Sequence, residues 1–161
     1  MPKQKKTRLL NGPKLRQKCI EALSDEFFES NSVAKRVIKK LKQGQSPEAI
    51  ARGIWKKAKR LFYFRRDLGK RIGSLRDLSE DDDRKKKLRQ KKTEIEEELS
   101  DSLWVLITLM KKCNLEFCLD GKTYSPNGII IYCAAGIMLQ NYSPAGMSMS
   151  PNLLPAQLKR A

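Results

Sequence analysis

The residues of this chain whose chemistry stands out are the lysines and arginines of residues 51–71, ARGIWKKAKRLFYFRRDLGKR. This stretch holds nine Lys or Arg and one Asp, and aromatic rings lie among the cations. Ammonium and guanidinium groups attract anions, and aromatic faces stack on bases. Such a segment suits nucleic-acid binding, an acidic membrane surface or simple solubility, and its arrangement in space decides between them.

On a helical wheel, the cations of this segment fall into one line. The predicted core face consists of Ile50, Ile54, Leu61, Leu68, Ile72 and Leu75. The opposite side carries a stripe, hereafter the ridge, that consists of Arg52, Lys56, Lys59, Tyr63, Arg66 and Lys70. The ridge contains no acid and extends over about 27 Å at 1.5 Å per residue.

The absence of acids from the ridge predicts a ligand. Like charges one helical turn apart repel each other by a few tenths of a kcal/mol, and a solvated face normally interleaves both signs. We therefore expect the ridge to bind nucleic-acid phosphates, with a solvated face and an acidic membrane as the alternatives. Tyr63 is expected either to stack on a base or to pack on its neighbours, whereas Trp55, Phe62 and Phe64 are predicted to pack.

A second basic helix is predicted over residues 33–42, and it adds nucleic-acid contacts at Lys35, Arg36, Lys39 and Lys40. The two helices meet at LKQGQSPEAIARGI, which resembles in cadence the first helix and turn of a helix-turn-helix. A base-reading motif needs a turn and a separate recognition helix at once after that, whereas WKKAKRLFYF continues without Gly or Pro. A sequence-reading DNA regulator, or a mobile-element protein, is therefore the alternative function.

Other kinds of chemistry have little support. The chain contains no histidine, which excludes Ser-His-Asp and Cys-His triads and histidine-bound zinc. The acids of Asp81–Asp83 are interpreted as compensation of a helix dipole, and the cysteines at 19, 113, 118 and 133 are spaced too loosely for structural zinc. Neither a Walker A loop nor GxGxxG is present. We expect a protein that is not an enzyme and that binds no metal and no cofactor.

The charge belongs to one half of the chain. The 161 residues carry a net charge of +16, and residues 1–76 hold 22 basic and 6 acidic side chains, so that residues 77–161 are neutral overall. A field of one sign attracts polyanions. The most apolar segment, residues 129–139, is too short to span a bilayer, and no secretory signal is visible, so we expect a cytoplasmic protein with reduced thiols and no membrane partner.

These features must be positioned by helices. The predicted organisation is a basic flexible arm over residues 1–12, a helical-bundle domain over 13–142 and a Pro/Ser/Met-rich tail over 143–161. Within the bundle, helices are expected from Pro13, from Val33, from Pro47 to about residue 77, from a turn within residues 79–87, and over 129–139, with a loop over 114–125. The predicted class is all-α, a compact bundle of about five helices with an irregular tail.

A basic, helical domain of this size without catalytic residues resembles the small subunit of type I CRISPR effector complexes, in particular the type I-D form, which corresponds to the C-terminal portion of the large subunit. The ridge, the basic helix over residues 33–42 and the apolar helices near 103–113 and 129–139 carry this resemblance. It implies a helical bundle that stacks along a guide-RNA filament and contacts backbone phosphates without cutting them. The implied partners are single-stranded DNA, a DNA–RNA hybrid or guide RNA, the large and backbone subunits, and other copies of the chain. An RNA-binding accessory protein is a further alternative.

Overall fold

The computed structural model describes residues 12–126 and 155–161, and these form a helical domain with a small sheet at one end. The elements in chain order are α1 (Gly12–Leu23), a short 3-10 helix (Glu26–Phe28), α2 (Ser32–Lys42), α3 (Pro47–Ser74), α4 (Asp83–Cys113), β1 (Leu115–Leu119), β2 (Lys122–Tyr124) and β3 (Gln157–Arg160). The predicted compact, mainly helical class is confirmed. The predicted helix over 129–139 lies outside the described residues.

The helix boundaries follow from capping residues that the sequence displays. Asn31 accepts a hydrogen bond from the Ala34 amide at the start of α2, and Ser46 accepts one from the Ala49 amide at the start of α3. Asp82 caps α4, which confirms that the acids of this turn serve a helix N-terminus. α4 ends at Asn114, whose left-handed backbone (φ 57°) directs its amide to a carbonyl of the last turn.

The core is built on an antiparallel pair of long helices, α3 and α4. The second half of α4 is buried on several sides, as the sequence predicts, because its apolar residues point toward α1, α2 and α3 alike. The residues of α4 with no exposed surface are Leu99, Leu103, Val105, Leu106, Leu109, Met110 and Cys113. α1 and α2 pack on each other and on α4, so the short helices close the side of the core that α3 leaves open.

A three-stranded antiparallel sheet is the part of the fold that the sequence analysis missed. Its strand order is β2-β1-β3, with Phe117 opposite Tyr124 on one side and opposite Leu158 on the other. The predicted loop over 114–125 is therefore a hairpin around Asp120–Gly121, and the predicted irregular tail contributes a strand over its last residues. These strands are three to five residues long, and the β1–β3 pairing joins segments far apart in sequence. No local sequence pattern therefore predicts them.

The sheet packs on α3 through one aromatic residue. Trp55 is 3% exposed, its ring lies 4.9 Å from that of Phe117, and its indole Nε1 donates a hydrogen bond of 2.9 Å to the Ala156 carbonyl. This bond satisfies the indole donor inside the core. None of the described helices is long and apolar enough to cross a membrane.

Leu106→Ala tests whether α4 is the centre of the core. Leu106 has no exposed surface, so truncation should lower the free energy of unfolding by about 2–5 kcal/mol through lost burial and a residual cavity. Urea denaturation measures the change. Gln90→Ala, on the exposed part of the same helix, should stay within about 0.5 kcal/mol of the wild type. Equal stabilities of the two variants would show that Leu106 does not lie in the core.

Candidate nucleic-acid interface

The buried face of α3 is turned relative to the sequence prediction. Ile50 and Leu68 are buried as expected, but Ile54, Leu61 and Ile72 are only half-buried. The other buried residues of the helix are Ala51, Trp55, Ala58 and Phe62, which lie on one flank of the predicted core face. The reason is the unpredicted sheet, which covers that flank near Trp55. The ridge therefore borders the buried face along one edge instead of lying directly opposite to it.

The ridge nevertheless forms a stripe on the surface of α3. Arg52, Lys56, Tyr63, Arg66 and Lys70 are exposed, and Lys59 is half-buried because it lies on the edge nearest the core. The predicted packing of Trp55 and Phe62 is confirmed, whereas Phe64 is 40% exposed. Sequence spacing thus places the predicted ridge residues together along one helix.

Two of the ridge cations lie over aromatic rings. The Arg66 guanidinium lies 5.6 Å from the ring of Phe62 and 5.7 Å from that of Tyr63, and Lys59 Nζ lies 5.8 Å from the ring of Trp55. A cation over a ring keeps its full charge and its N–H donors, unlike a cation in an ion pair. Tyr63 also meets Phe62 edge to face, yet remains 50% exposed. Tyr63 therefore contacts Phe62 and Arg66 while the exposed part of its ring remains accessible to a base.

Arg52 is the ridge residue that forms polar contacts within the protein. Its guanidinium donates a hydrogen bond to the Leu158 carbonyl of β3 and lies 3.5 Å from a Glu48 oxygen. Glu48 also pairs with Arg160 at 2.9 Å, so this carboxylate joins α3 to β3. In the described part of the chain, Lys56, Lys59, Arg66 and Lys70 form no ion pair. The uncompensated positive charge of the ridge therefore begins at Lys56.

The acids of α4 compensate cations on other faces of α3. Glu96 pairs with Arg65 at 2.7 Å and with Lys92 at 3.7 Å, and Glu98 pairs with Lys57 at 3.1 Å. Both acids therefore bridge α4 to α3, because the antiparallel packing brings the two helices alongside each other. The ridge points away from α4 and stays uncompensated.

The basic residues predicted on α2 do not extend the ridge. Lys35, Arg36, Lys39 and Lys40 are all exposed, but they point in two directions. Arg36 and Lys40, four residues apart, face α3, whereas Lys35 lines a depression beside the acids at the end of α1, Asp25, Glu26 and Glu29. Only the first pair thus lies on the same surface as cations of α3.

The structure reveals a basic cleft between α2, α3 and α4 that the sequence analysis did not identify. The cleft has a volume of about 330 Å³, and its charged lining residues are Arg36, Lys40, Lys57, Arg60 and Glu98. Lys57 and Arg60 gave a signal for it in the sequence, since they lie three residues apart on α3 and outside the ridge. The contributions of α2 and Glu98 depend on tertiary packing, so the sequence gave no signal for them.

The described cysteines and acids form no metal centre. No group of three or more potential ligands occurs among residues 12–126 and 155–161. Cys19 and Cys113 are free, fully buried thiols that lie next to each other in the core. A hydrogen bond to Cys19, together with burial, raises the pKa of Cys113, so this thiol stays protonated. Burial likewise raises the pKa of Asp101, which the nearby charges of Glu98 and Glu97 raise further while the Ser32 amide opposes the shift.

The connection between α2 and α3 is a short turn, as the helix-turn-helix alternative requires. The turn covers residues 43–46, and Gly44 adopts a left-handed backbone (φ 93°) that favours glycine. After this turn α3 runs for 28 residues without interruption. α3 is therefore one long basic helix at the place where a compact helix-turn-helix motif would have two helices.

Arg52→Gln and Lys56→Gln should differ in stability although they change the charge equally. Loss of the Arg52 bond to the Leu158 carbonyl should lower the free energy of unfolding by about 1 kcal/mol. Lys56 is exposed and forms no ion pair with a described residue, so its replacement should change that free energy by less than about 0.5 kcal/mol. Urea denaturation of the two variants measures the difference, and indistinguishable values would mean that Arg52 does not hold β3.

Comparison with protein-family models, with curated proteins and with solved structures found no match to this chain. The geometry of the interface has two parts, a convex ridge on α3 and a concave cleft between α3 and α2. Both parts present cations from the N-terminal half of the chain, which carries the whole net charge.

Proposed function

We propose that this protein binds the phosphate backbone of nucleic acid without sequence specificity, and that the ridge is its main contact surface. The observation that carries the proposal is that the ridge cations from Lys56 to Lys70 form no ion pair with a described residue and lie on the side of α3 away from the carboxylates of α4. Uncompensated Lys and Arg release counterions when they contact phosphates, and this release favours binding.

The composition of the ridge supports backbone binding over base reading. Base edges are read by bidentate side chains such as Asn, Gln and Arg that a short helix presents in the major groove. The ridge instead consists mostly of lysines, which act as flexible point charges, and the line of cations is longer than a groove-binding helix needs. Tyr63, half exposed beside Arg66, offers a ring on which a base of any identity stacks.

We further propose that the protein acts as a subunit of a larger nucleoprotein assembly, such as the small subunit of a type I CRISPR effector complex, and has no catalytic activity of its own. Sequence-independent backbone contact suits such a subunit, since base pairing with the guide RNA supplies the specificity there. In that role the ligands are displaced DNA, a DNA–RNA hybrid or guide RNA, and the protein partners are the large and backbone subunits and further copies of the chain.

A second candidate is a DNA-binding regulator, and the turn between α2 and α3 is the observation that favours it. The four-residue turn with Gly44 in the left-handed region joins two basic helices, as a helix-turn-helix requires. A regulator binds one operator far more tightly than random sequence, whereas a backbone-binding subunit does not distinguish them.

The triple variant Lys56→Gln, Lys59→Gln, Lys70→Gln tests the main proposal. The logarithm of the binding constant for a single strand falls with the logarithm of the salt concentration by about 0.7 per phosphate contact, so the loss of three contacts should reduce the slope by about 2. Fluorescence anisotropy with several unrelated oligonucleotides at several salt concentrations measures it. All sequences should weaken together.

The matched control for this experiment is Lys18→Gln, Lys87→Gln, Lys111→Gln, which makes the same change in net charge at exposed lysines on α1 and α4. It should leave most of the slope intact. If control and ridge variants weaken binding equally, the effect comes from total charge and the ridge is not a site. A loss confined to one sequence would favour the regulator.

A further inference from the structure

The basic cleft differs from the ridge in being concave and partly compensated. Two cations reach it from α2, Arg36 and Lys40, and two from α3, Lys57 and Arg60. One carboxylate, Glu98 of α4, also lines the cleft, so the lining carries a formal charge of +3. The apolar floor of the cleft includes Val37 and Ile54. Cations that converge on a concave surface from two helices form a site for a compact anion.

Glu98 bridges two of the cations of the cleft. A single oxygen of its carboxylate, Oε2, accepts a hydrogen bond of 2.8 Å from Arg36 and one of 3.1 Å from Lys57. The two cations are half-exposed and the carboxylate is one-quarter exposed, so water and ligands reach the pair. Glu98 therefore stands where an oxygen of an external anion would bind, and it bridges the same two cations.

We infer that this cleft is a phosphate-binding site, distinct from the ridge, in which an external phosphate competes with Glu98 for Arg36 and Lys57. The inference deepens the proposed function, on which it rests in assigning the phosphate to a nucleic-acid strand. An arginine paired with lysines at short range is a common arrangement for binding phosphate oxygens. The volume of about 330 Å³ is at the lower end of small-ligand pockets, which suits one phosphate group or one nucleotide.

The cleft and the ridge differ in the elements that build them. α2 forms the far wall of the cleft and takes no part in the ridge. A phosphate in the cleft is therefore bound by α2 and α3 together, whereas a backbone on the ridge touches α3.

Glu98→Gln is the decisive variant because it should increase binding. It removes a negative charge about 5 Å from the expected phosphate and frees Arg36 and Lys57, so the affinity for a 20-nucleotide oligo-dT should rise about fourfold near physiological salt. Glu94→Gln is the matched control. It makes the same charge change on the same helix, one turn away, at an exposed carboxylate outside the cleft, and should change the affinity by less than twofold.

The complementary variant is Lys57→Gln, Arg60→Gln, which removes the α3 wall of the cleft and leaves the ridge intact. It should lower the affinity for oligo-dT several-fold and reduce the salt slope by about 1.4, the value for two contacts. Titration with inorganic pyrophosphate, followed by NMR of backbone amides, separates the sources of the anion. Shifts in α2 and α3 that the double variant abolishes would establish the cleft as a site for free phosphate as well.

The outcomes are distinct. If pyrophosphate binds in the cleft while the affinity for oligo-dT is unchanged in every cleft variant, the phosphate is that of a small molecule and not of a strand. If Glu98→Gln has no effect beyond that of Glu94→Gln and pyrophosphate does not bind, the inference is overturned. The ridge triple variant in the same assays tests the proposed function separately: loss there with no response of the cleft variants refutes only the cleft, and the reverse result refutes only the ridge. Thermal unfolding confirms that each variant is folded.

Discussion

The packing of α3 against α4 is the interaction on which the rest of the structure depends. The second half of α4 is buried on several sides, because α3 covers one face while α1 and α2 cover others. That contact fixes the rotation of α3 about its own axis. Cations occupy most of the exposed surface of α3. The rotation of the helix about its axis therefore determines which of these cations face solvent and which face the carboxylates of α4.

The charge distribution of the molecule follows from that rotation. The chain has enough acids in its C-terminal half to balance the basic residues there, and α4 directs two of them, Glu96 and Glu98, across to Arg65, Lys57 and Arg36. These bridges are partly exposed, and each contributes on the order of 1 kcal/mol or less to stability. Their larger effect is spatial: one flank of α3 is partly neutralised, and the ridge, which points elsewhere, keeps its charge.

The sequence was sufficient for the features that depend on neighbours along the chain. The line from Lys56 to Lys70 is set by helical spacing and is observed as predicted, and the acids of residues 81–83 lie at a helix N-terminus as expected. The caps at Asn31 and Ser46 likewise depend only on local residue types. The features that it did not reveal all require contacts between distant segments. Gln157 pairs with Cys118 across a long stretch of chain, and the sheet so formed turns the buried face of α3 toward Trp55. The cleft likewise needs α2, α3 and α4 in place before Arg36 and Lys57 can share one carboxylate.

The ridge and the cleft present their cations under different physical conditions. From Lys56 to Lys70 the ridge cations pair with no carboxylate among the described residues, so salt is what limits their attraction to an anion, which it screens within about 10 Å. In the cleft the cations converge from two helices, but Glu98 already occupies part of the capacity of Arg36 and Lys57. An anion there would gain only the difference between its own interaction and that of the carboxylate. The same packing that leaves the ridge without an acid partner thus gives the cleft an internal competitor.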